Sequence, residues 1–204
     1  MNTDYVHLDL PGDAPGGPAI FLFHGTGGDE HQFTDLAPQL LPGARRIAVR
    51  GDVSEGGAAR YFKRLAEGRY DMADLERATQ KMAGFVAERV AAELPSETVG
   101  LGYSNGANIL AAVQFEAPAL FDVAVLMHPL IPFEPAPQPG LKGKKVQITA
   151  GRRDPICPAP ETQKLADWFA AQGADMTLFW HEGGHEIRQD ELIAIRDWLA
   201  KPGA

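Results

Sequence analysis

Short, continuously apolar runs recur along the chain and alternate with longer segments in which apolar residues repeat at helical spacing. A continuous apolar run of this kind is typical of a strand that is buried on both faces of a parallel sheet. We therefore predict buried strands at residues 19–23, 45–50, 98–101, 123–127, 146–150 and 176–180, and a weakly alternating edge strand at residues 5–10. Helical spacing predicts helices at about residues 32–40, 73–94, 161–171 and 190–199, and another directly after residue 104.

The alternation of strands with helices of ten or more residues indicates right-handed crossovers, and hence an α/β fold with a mainly parallel sheet. A chain of 204 residues without a linker or an internal repeat suits one domain, which we assign to residues 1–204. Functional loops of such sheets leave the carboxyl ends of the strands, so we expect the site at that edge.

The net charge of −8 limits the classes of partner. It disfavours nonspecific binding to nucleic acid and stable association with anionic membranes, and no apolar run reaches the roughly 20 residues of a membrane span. A single cysteine, Cys157, excludes an internal disulfide, and residues 1–5 lack the basic start of a secretory signal. We expect a cytoplasmic protein that is a monomer or a homodimer.

The segment Gly102-Tyr103-Ser104-Asn105-Gly106 follows a predicted strand and precedes a predicted helix. A serine on such a tight turn holds its hydroxyl above the sheet, and the following helix directs its N-terminus at developing negative charge. The two glycines leave room in a crowded turn. A Gly-x-Ser-x-Gly pattern can arise by chance in a glycine-rich chain, but the strand–turn–helix setting favours Ser104 as a nucleophile.

A serine nucleophile needs a base to take its proton, and the base needs an acid to orient it. The serine comes first along the chain in this arrangement, followed by the acid (Asp or Glu) and then by the histidine. Only a histidine after Ser104 can therefore be the base. We predict His185 as the base because it follows the last strand in a Gly-Gly-His loop that can swing over the sheet; His181 is the alternative. His128 ends the strand at residues 123–127 and is better suited to lining the pocket.

The acid has to leave the carboxyl end of a strand between the serine and the histidine. Asp154 does so after the strand at residues 146–150, although an Asp before Pro also forms turns without any chemical role. Asp122 and Asp175 precede strands, and Asp167 lies within a helix. We therefore predict Asp154 as the acid.

Acyl transfer places negative charge on an oxygen that backbone N–H groups can stabilise. We predict one donor at Asn105, directly after the nucleophile, and the second at Thr26, in the glycine-rich loop that follows the strand at residues 19–23. Such a loop can also cradle a phosphate group, but this one lacks the Gly-Lys-Ser/Thr ending of a nucleotide-binding loop.

Four segments carry a family resemblance: His-Gly-Thr-Gly-Gly-Asp-Glu at 24–30, Gly-Tyr-Ser-Asn-Gly-Ala-Asn at 102–108, Asp-Pro-Ile-Cys-Pro at 154–158 and Gly-His at 184–185. Together they resemble the small carboxylesterase/phospholipase family of α/β-hydrolases, and most closely its branch of MhqD-type hydrolases. The similarity spans nearly the whole chain. It implies an α/β-hydrolase fold with a mainly parallel sheet of about seven strands, helices on both faces and no large cap, and it implies no metal and no organic cofactor.

Apolar side chains on loops beside a nucleophile favour a surface that binds an acyl or aromatic group. We predict a substrate pocket lined by His24, Phe33, Tyr61, Phe62, Met72, His128, Ile131 and Ile156. Core packing beneath the loops explains any one of the apolar residues equally well. Arg60, Lys63 and Arg64 can attract an anionic substrate, but a solvated basic face is the better interpretation of this cluster.

These predictions describe a carboxylesterase that cleaves esters of small or medium acyl or aryl substrates through an acyl-enzyme intermediate. Thioesterase or lysophospholipase activity is the alternative among enzymes, and a small-molecule binding or sensing protein is the non-enzymatic alternative. A metal-dependent ring-cleaving enzyme using His24, His128 and His185 has less support, because their spacing matches no compact metal motif. The expected partner is a small-molecule ester.

Overall fold

The computed structural model of the protein describes residues 3–201. Met1, Asn2 and residues 202–204 of the predicted domain lie outside the described residues. The expectation that residues 1–5 form no secretory signal therefore falls partly on residues that are not described. Within residues 3–201, no helix is both long and apolar enough to cross a membrane.

A seven-stranded sheet forms the centre of the described chain. Its strands, numbered along the chain, are β1 (His7–Leu10), β2 (Ala19–Phe23), β3 (Arg45–Val49), β4 (Thr98–Tyr103), β5 (Val123–Met127), β6 (Lys145–Gly151) and β7 (Asp175–His181). Their order across the sheet is β1-β3-β2-β4-β5-β6-β7. β1 runs antiparallel to β3, and the other neighbouring pairs are parallel. The mainly parallel sheet and its edge strand are confirmed.

Within residues 3–201, five α-helices cover the sheet: α1 (Ala37–Leu40), α2 (Met72–Glu93), α3 (Asn105–Glu116), α4 (Ala159–Ala171) and α5 (Gln189–Leu199). α2, α3 and α4 contribute to one core cluster, and α1 and α5 contribute to a second cluster. The predicted α/β arrangement with helices on both faces is therefore confirmed. Within residues 3–201, no large cap domain is added to it.

Strand β2 shows why a central strand has an uninterrupted apolar sequence. Phe21 and Phe23 pack into the first core cluster, whereas Ile20 and Leu22 pack into the second. Successive side chains of a strand point to opposite faces, so a strand with helices on both sides needs apolar residues at every position.

The predicted helix at residues 32–40 is wrong over most of its length. The Thr34 N–H bonds to the carbonyl of His31, which is a tighter turn than an α-helix makes, and only Ala37–Leu40 is α-helical. Pro38 offers no N–H to the Thr34 carbonyl, which instead accepts a hydrogen bond from Arg46 Nη1 at 3.3 Å.

Two short hairpins lie between β3 and α2, where the sequence indicates a loop. One pairs Val53–Glu55 with Ala58–Arg60, and the other pairs Arg64–Ala66 with Arg69–Tyr70. Both hairpins contribute side chains to the wall of a cavity beside residue 104. This segment therefore shapes the candidate site.

Candidate active site

Ser104 occupies the tight turn between β4 and α3, with φ 53° and ψ −117°. A positive φ strains a residue that has a Cβ, and such strain concentrates at functional sites. A Cβ on Gly102 would lie 2.5 Å from the carbonyl oxygen of Gly106, and a Cβ on Gly106 would overlap the carbonyl of Phe23. The two glycines therefore allow α3 to begin directly against the end of β2.

The structure brings three predicted side chains into one hydrogen-bonded series. Ser104 Oγ lies 2.9 Å from His185 Nε2, and His185 Nδ1 lies 2.7 Å from Asp154 Oδ2. With the Nδ1 hydrogen directed at Asp154, Nε2 of a neutral His185 can accept the serine proton. His181, the alternative base, is buried, and its Nδ1 accepts a hydrogen bond from the Gly183 N–H at 3.0 Å.

The Asp154 carboxylate accepts four hydrogen bonds and has no exposed side-chain surface. Oδ1 accepts from the N–H groups of Ile156 and Cys157 at 2.8 and 2.9 Å, and Oδ2 accepts from His185 and from His128 Nδ1, the latter at 3.0 Å. Burial alone would raise the pKa of Asp154, but the hydrogen bonds from His128, His185 and Cys157 hold the pKa well below its ordinary value. Asp154 is therefore ionised at neutral pH.

The two predicted oxyanion donors, Thr26 and Asn105, lie in the wall of the same cavity as Ser104. Asn105 is the first residue of α3, so its backbone N–H belongs to the free donors of a helix N-terminus. Thr26 Oγ1 accepts a hydrogen bond from Arg60 Nη1 at 2.7 Å, and Asn105 Oδ1 accepts one from the Tyr61 N–H at 2.8 Å. Two consecutive residues at the end of one hairpin thus hold both segments.

A cavity of about 260 Å³ adjoins Ser104 and His185. Small-molecule sites typically measure about 300–1,000 Å³, so this volume suits a small ligand. Apolar and ring surfaces of Tyr70, Tyr103, Leu130 and Ile156 line it. Charged side chains of Arg60, Arg64 and Glu67 lie on the same wall. Of the predicted pocket residues, Ile156 borders this cavity.

Four predicted pocket residues belong to the interior instead. Tyr61 and Phe62 are fully buried, and His24 and Phe33 are nearly so. The Tyr61 hydroxyl donates to the Val49 carbonyl at 2.7 Å and accepts from the His24 N–H at 3.0 Å. These side chains hold the loops beneath the cavity, which corrects the prediction that they line it.

The other three predicted pocket residues lie elsewhere. Ile131 borders a separate cavity with Phe133, and Met72 is half exposed at the start of α2, beside a surface groove. His128 is completely buried and contacts Asp154, so it does not reach the cavity. The neighbour of Ile131 along the chain, Leu130, lines the cavity instead.

Three residues of the site escape the sequence prediction or contradict it. Arg60 is only 3% exposed, so it does not belong to a solvated basic face. Glu191 has no exposed surface, and its Oε1 lies 3.3 Å from His128 Nε2. Tyr103 lines the cavity and contacts the His185 loop. Of these three residues, only Tyr103 carries a sequence signal, because it stands directly before the predicted nucleophile.

Two groups of side chains among the described residues are close enough to consider as metal ligands: His128 with His181 and Glu191, and His128 with Asp154 and His185. Asp154 contacts both imidazoles of the second group by direct hydrogen bonds. In the first group, His181 accepts an N–H through Nδ1, so its own proton sits on Nε2, the nitrogen that a metal would need. His24 belongs to neither group, so the three histidines of the ring-cleaving alternative do not converge.

The chain is similar to known proteins over most of its length. The sequence profile of the dienelactone hydrolase family matches residues 13–191. MhqD of Bacillus subtilis (strain 168), which is named as a hydrolase, is 38% identical over 183 residues, covering 88% of this chain and 90% of MhqD. The structure of Atu2452 from Agrobacterium tumefaciens str. C58, a protein of unknown function, has a TM-score of 0.90 at 52% identity and covers 98% of both chains. The Bacillus cereus carboxylesterase has a TM-score of 0.90 at 35% identity, covering 97% of this chain and 94% of its own.

Proposed function

The chain belongs to the dienelactone hydrolase family, and we propose that it is a serine hydrolase that cleaves carboxylic esters through an acyl-enzyme intermediate. The observation that carries the proposal is the series from Ser104 Oγ to His185 at 2.9 Å and from His185 to Asp154 at 2.7 Å, beside a cavity. The similarity to MhqD confirms the resemblance found in the sequence.

In the proposed reaction, Ser104 Oγ attacks the ester carbonyl carbon while His185 Nε2 takes the hydroxyl proton. The Asp154 carboxylate stabilises the imidazolium that forms. The N–H groups of Thr26 and Asn105 donate to the oxyanion. His185 then returns the proton to the leaving alcohol, and the acyl group remains on Ser104. A water molecule that loses its proton to His185 hydrolyses this acyl-enzyme and frees the acid.

The cavity supports a small or medium acyl or aryl group as the part of the substrate that binds beside Ser104. Its volume of about 260 Å³ suits a group of this size. Tyr70 and Tyr103 offer ring surfaces, and the Asn105 side-chain amide is a buried donor without a partner among the described residues. A substrate that carries a polar acceptor beside its ester would satisfy that donor.

The proposal is tested by kcat/KM for phenyl and alkyl esters, each paired with the thioester of the same acyl group. We expect ester hydrolysis by the wild type and a loss of at least about 10,000-fold in Ser104→Ala. Ser96→Ala is the matched control, because this exposed serine lies before β4, at the opposite end of that strand. Undiminished turnover in folded Ser104→Ala would overturn the assignment. A wild type that binds esters and hydrolyses none would favour a binding protein.

A further inference from the structure

Three residues that line the cavity, Tyr70, Asn108 and Leu130, are joined in a closed ring of hydrogen bonds. Asn108 Nδ2 donates to the Tyr70 hydroxyl at 2.8 Å, and that hydroxyl donates to the Leu130 carbonyl at 2.5 Å. The Leu130 N–H donates to Asn108 Oδ1 at 2.7 Å, which closes the ring. We name these three residues the Tyr70 bridge. The bridge joins the second hairpin, α3 and the loop after β5.

The Tyr70 bridge is buried, and its hydrogen bonds hold it in one arrangement. Tyr70, Asn108 and Leu130 are each less than 9% exposed. Burial raises the pKa of Tyr70, so the hydroxyl keeps its proton and remains a donor. The Tyr70 ring also packs edge-on against the fully buried ring of Phe62, with the centroids 4.8 Å apart. A buried polar network whose members are paired is rigid, so the Tyr70 ring is fixed in the cavity wall.

The bridge lies one turn of α3 away from Ser104. The Asn108 N–H donates to the Ser104 carbonyl at 2.9 Å, which is the first turn of the helix. Residues four apart lie on one face of a helix, so Ala112 follows Asn108 on the same face. Ser104 and Asn108 line the cavity, whereas Ala112 lines the surface groove beside Met72. The cavity and the groove therefore follow one another along α3.

The groove on the far side of the bridge has a largely apolar wall. It measures about 430 Å³, and its wall includes Leu75 and Phe115. Each of the three bridge residues is followed, within four positions of the chain, by a residue that lines the groove: Met72, Ala112 and Phe133. Among the described residues, the cavity and the groove share no lining residue. The Tyr70 bridge thus separates the cavity from the groove.

We infer that Tyr70 limits the length of the acyl group, and that the Tyr70 bridge gives the enzyme a preference for esters of short acids. The inference rests on the function proposed above, in which Ser104 attacks the ester. The leaving alcohol has to face His185, which returns the proton to it, so the acyl group takes the side of the cavity along α3. It meets the bridge after one helical turn of about 6 Å, which a butyryl chain spans and an octanoyl chain exceeds.

The chemistry of the bridge suits the end of an apolar chain. Its donors and acceptors bond to one another, so the end of the acyl group meets no polar group of the bridge that lacks a partner. The ring of Tyr70 and the side chain of Leu130 offer it apolar contact. Tyr70 is therefore a residue that determines specificity, and it takes no part in the proton transfers.

The test uses three variants of the bridge and one control. Tyr70→Ala removes the ring and opens the cavity towards the groove, whereas Tyr70→Phe keeps the ring and loses only the hydroxyl. Tyr70→Ala also leaves two buried polar groups without a partner, so Leu130→Ala provides a second, milder change. Leu130 bonds within the bridge through its backbone, and its truncation shortens the wall while those bonds stay. Leu65→Ala is the control, because this side chain of the same hairpin is 66% exposed.

The readout is kcat/KM for phenyl acetate, phenyl butyrate and phenyl octanoate, and the wild type should prefer the butyrate to the octanoate. Tyr70→Ala should raise the ratio of octanoate to butyrate hydrolysis by about tenfold or more, because each methylene that gains apolar contact adds roughly fourfold. Leu130→Ala should move the ratio in the same direction by less. Tyr70→Phe and Leu65→Ala should keep the wild-type ratio. A variant that is only poorly packed hydrolyses both esters more slowly and leaves the ratio unchanged.

Acetate esters of ethanol, butanol and octanol show which part of the ester meets Tyr70. Their order should be the same in Tyr70→Ala and in the wild type, and a shift confined to this alcohol series would overturn the acyl assignment. A wild type that prefers the octanoate, or folded Tyr70→Ala and Leu130→Ala with the wild-type acyl ratio, would overturn the inference. So would a shift in Tyr70→Phe as large as that in Tyr70→Ala, since the ring would then not be the barrier. A wild type that hydrolyses no ester would instead overturn the proposed function.

Discussion

The Tyr103 hydroxyl donates a 2.6 Å hydrogen bond to the backbone carbonyl oxygen of His185, and the two rings pack with their centroids 5.4 Å apart. The residue directly before the proposed nucleophile thus holds the loop of the proposed base. Gly25 makes room for it, because a Cβ there would lie 2.7 Å from the Tyr103 ring. Burial raises the pKa of Tyr103 to about 12, so the hydroxyl keeps its proton and remains a donor.

Tyr103→Phe should therefore loosen His185 while it keeps the aromatic ring that lines the cavity. Loss of one hydrogen bond of about 1 kcal/mol predicts a decrease in kcat of about five- to tenfold, with KM nearly unchanged. Tyr5→Phe is the matched control, because the buried Tyr5 hydroxyl has no partner among the described residues. Equal kcat values in the two variants would show that the hydrogen bond from Tyr103 does not hold His185.

Thr26→Val should impair the proposed oxyanion loop. Valine keeps the backbone N–H and the shape of threonine, but it removes the Oγ1 that accepts from Arg60 at 2.7 Å. The Arg60 guanidinium is then left buried without this acceptor, and we expect kcat to fall by about tenfold or more. Thr26→Ser keeps the hydroxyl and should retain most of the activity. If both variants are equally active, the contact with Arg60 does not position Thr26.

Gly106→Ala should destabilise the fold. The added methyl group would overlap the carbonyls of Phe23 and His24, which are backbone atoms at the end of β2 and cannot rotate away. We expect a loss of about 3 kcal/mol or more, seen as a lower midpoint in urea unfolding. Gly84→Ala is the control within α2, because its methyl group would meet only the Thr3 side chain. An unchanged midpoint for Gly106→Ala would contradict the close contact between α3 and β2.

The two carboxylates beside His128 should make stability depend on alkaline pH, because they raise the pKa of its imidazole. Its pKa is about 9 in the folded protein, against about 6.5 in an unfolded chain. Because the folded value is the higher one, the stabilisation is complete below about pH 6.5 and is lost as the pH rises through about 9. The free energy of unfolding of the wild type relative to His128→Asn should fall by up to about 3 kcal/mol across this range. A constant difference in urea unfolding at several pH values would contradict the raised pKa of His128.

The sequence predicts the parts of this fold that depend on local patterns, such as the run of apolar residues in a strand. Strand β2 is apolar at every position because both of its faces are buried, and its predicted bounds agree with the structure. The candidate residues Ser104, Asp154 and His185 each follow a strand end, and a parallel sheet brings such ends to one edge. Their positions along the chain therefore predict that these three side chains meet at one edge of the sheet.

Contacts between distant segments decide the rest. Tyr61 and Phe62 lie in a segment that the sequence marks as a loop, yet buried backbone groups of β3 and the His24 loop satisfy the Tyr61 hydroxyl. Glu191 lies in the first turn of α5, where an acidic residue ordinarily caps the helix in solvent. Only the order of β5, β6 and β7 in the sheet brings that helix end to His128. No local pattern contains this information.

The most direct test of the central claim is covalent labelling of the protein with a fluorophosphonate, followed by intact mass. An activated serine attacks such a probe, whereas an ordinary serine hydroxyl does not. We predict one label per wild-type chain and per Ser96→Ala chain, none in Ser104→Ala and strongly slowed labelling in His185→Ala. Equal labelling of Ser104→Ala, or no labelling of the folded wild type, would contradict the assignment of Ser104 as a nucleophile activated by His185.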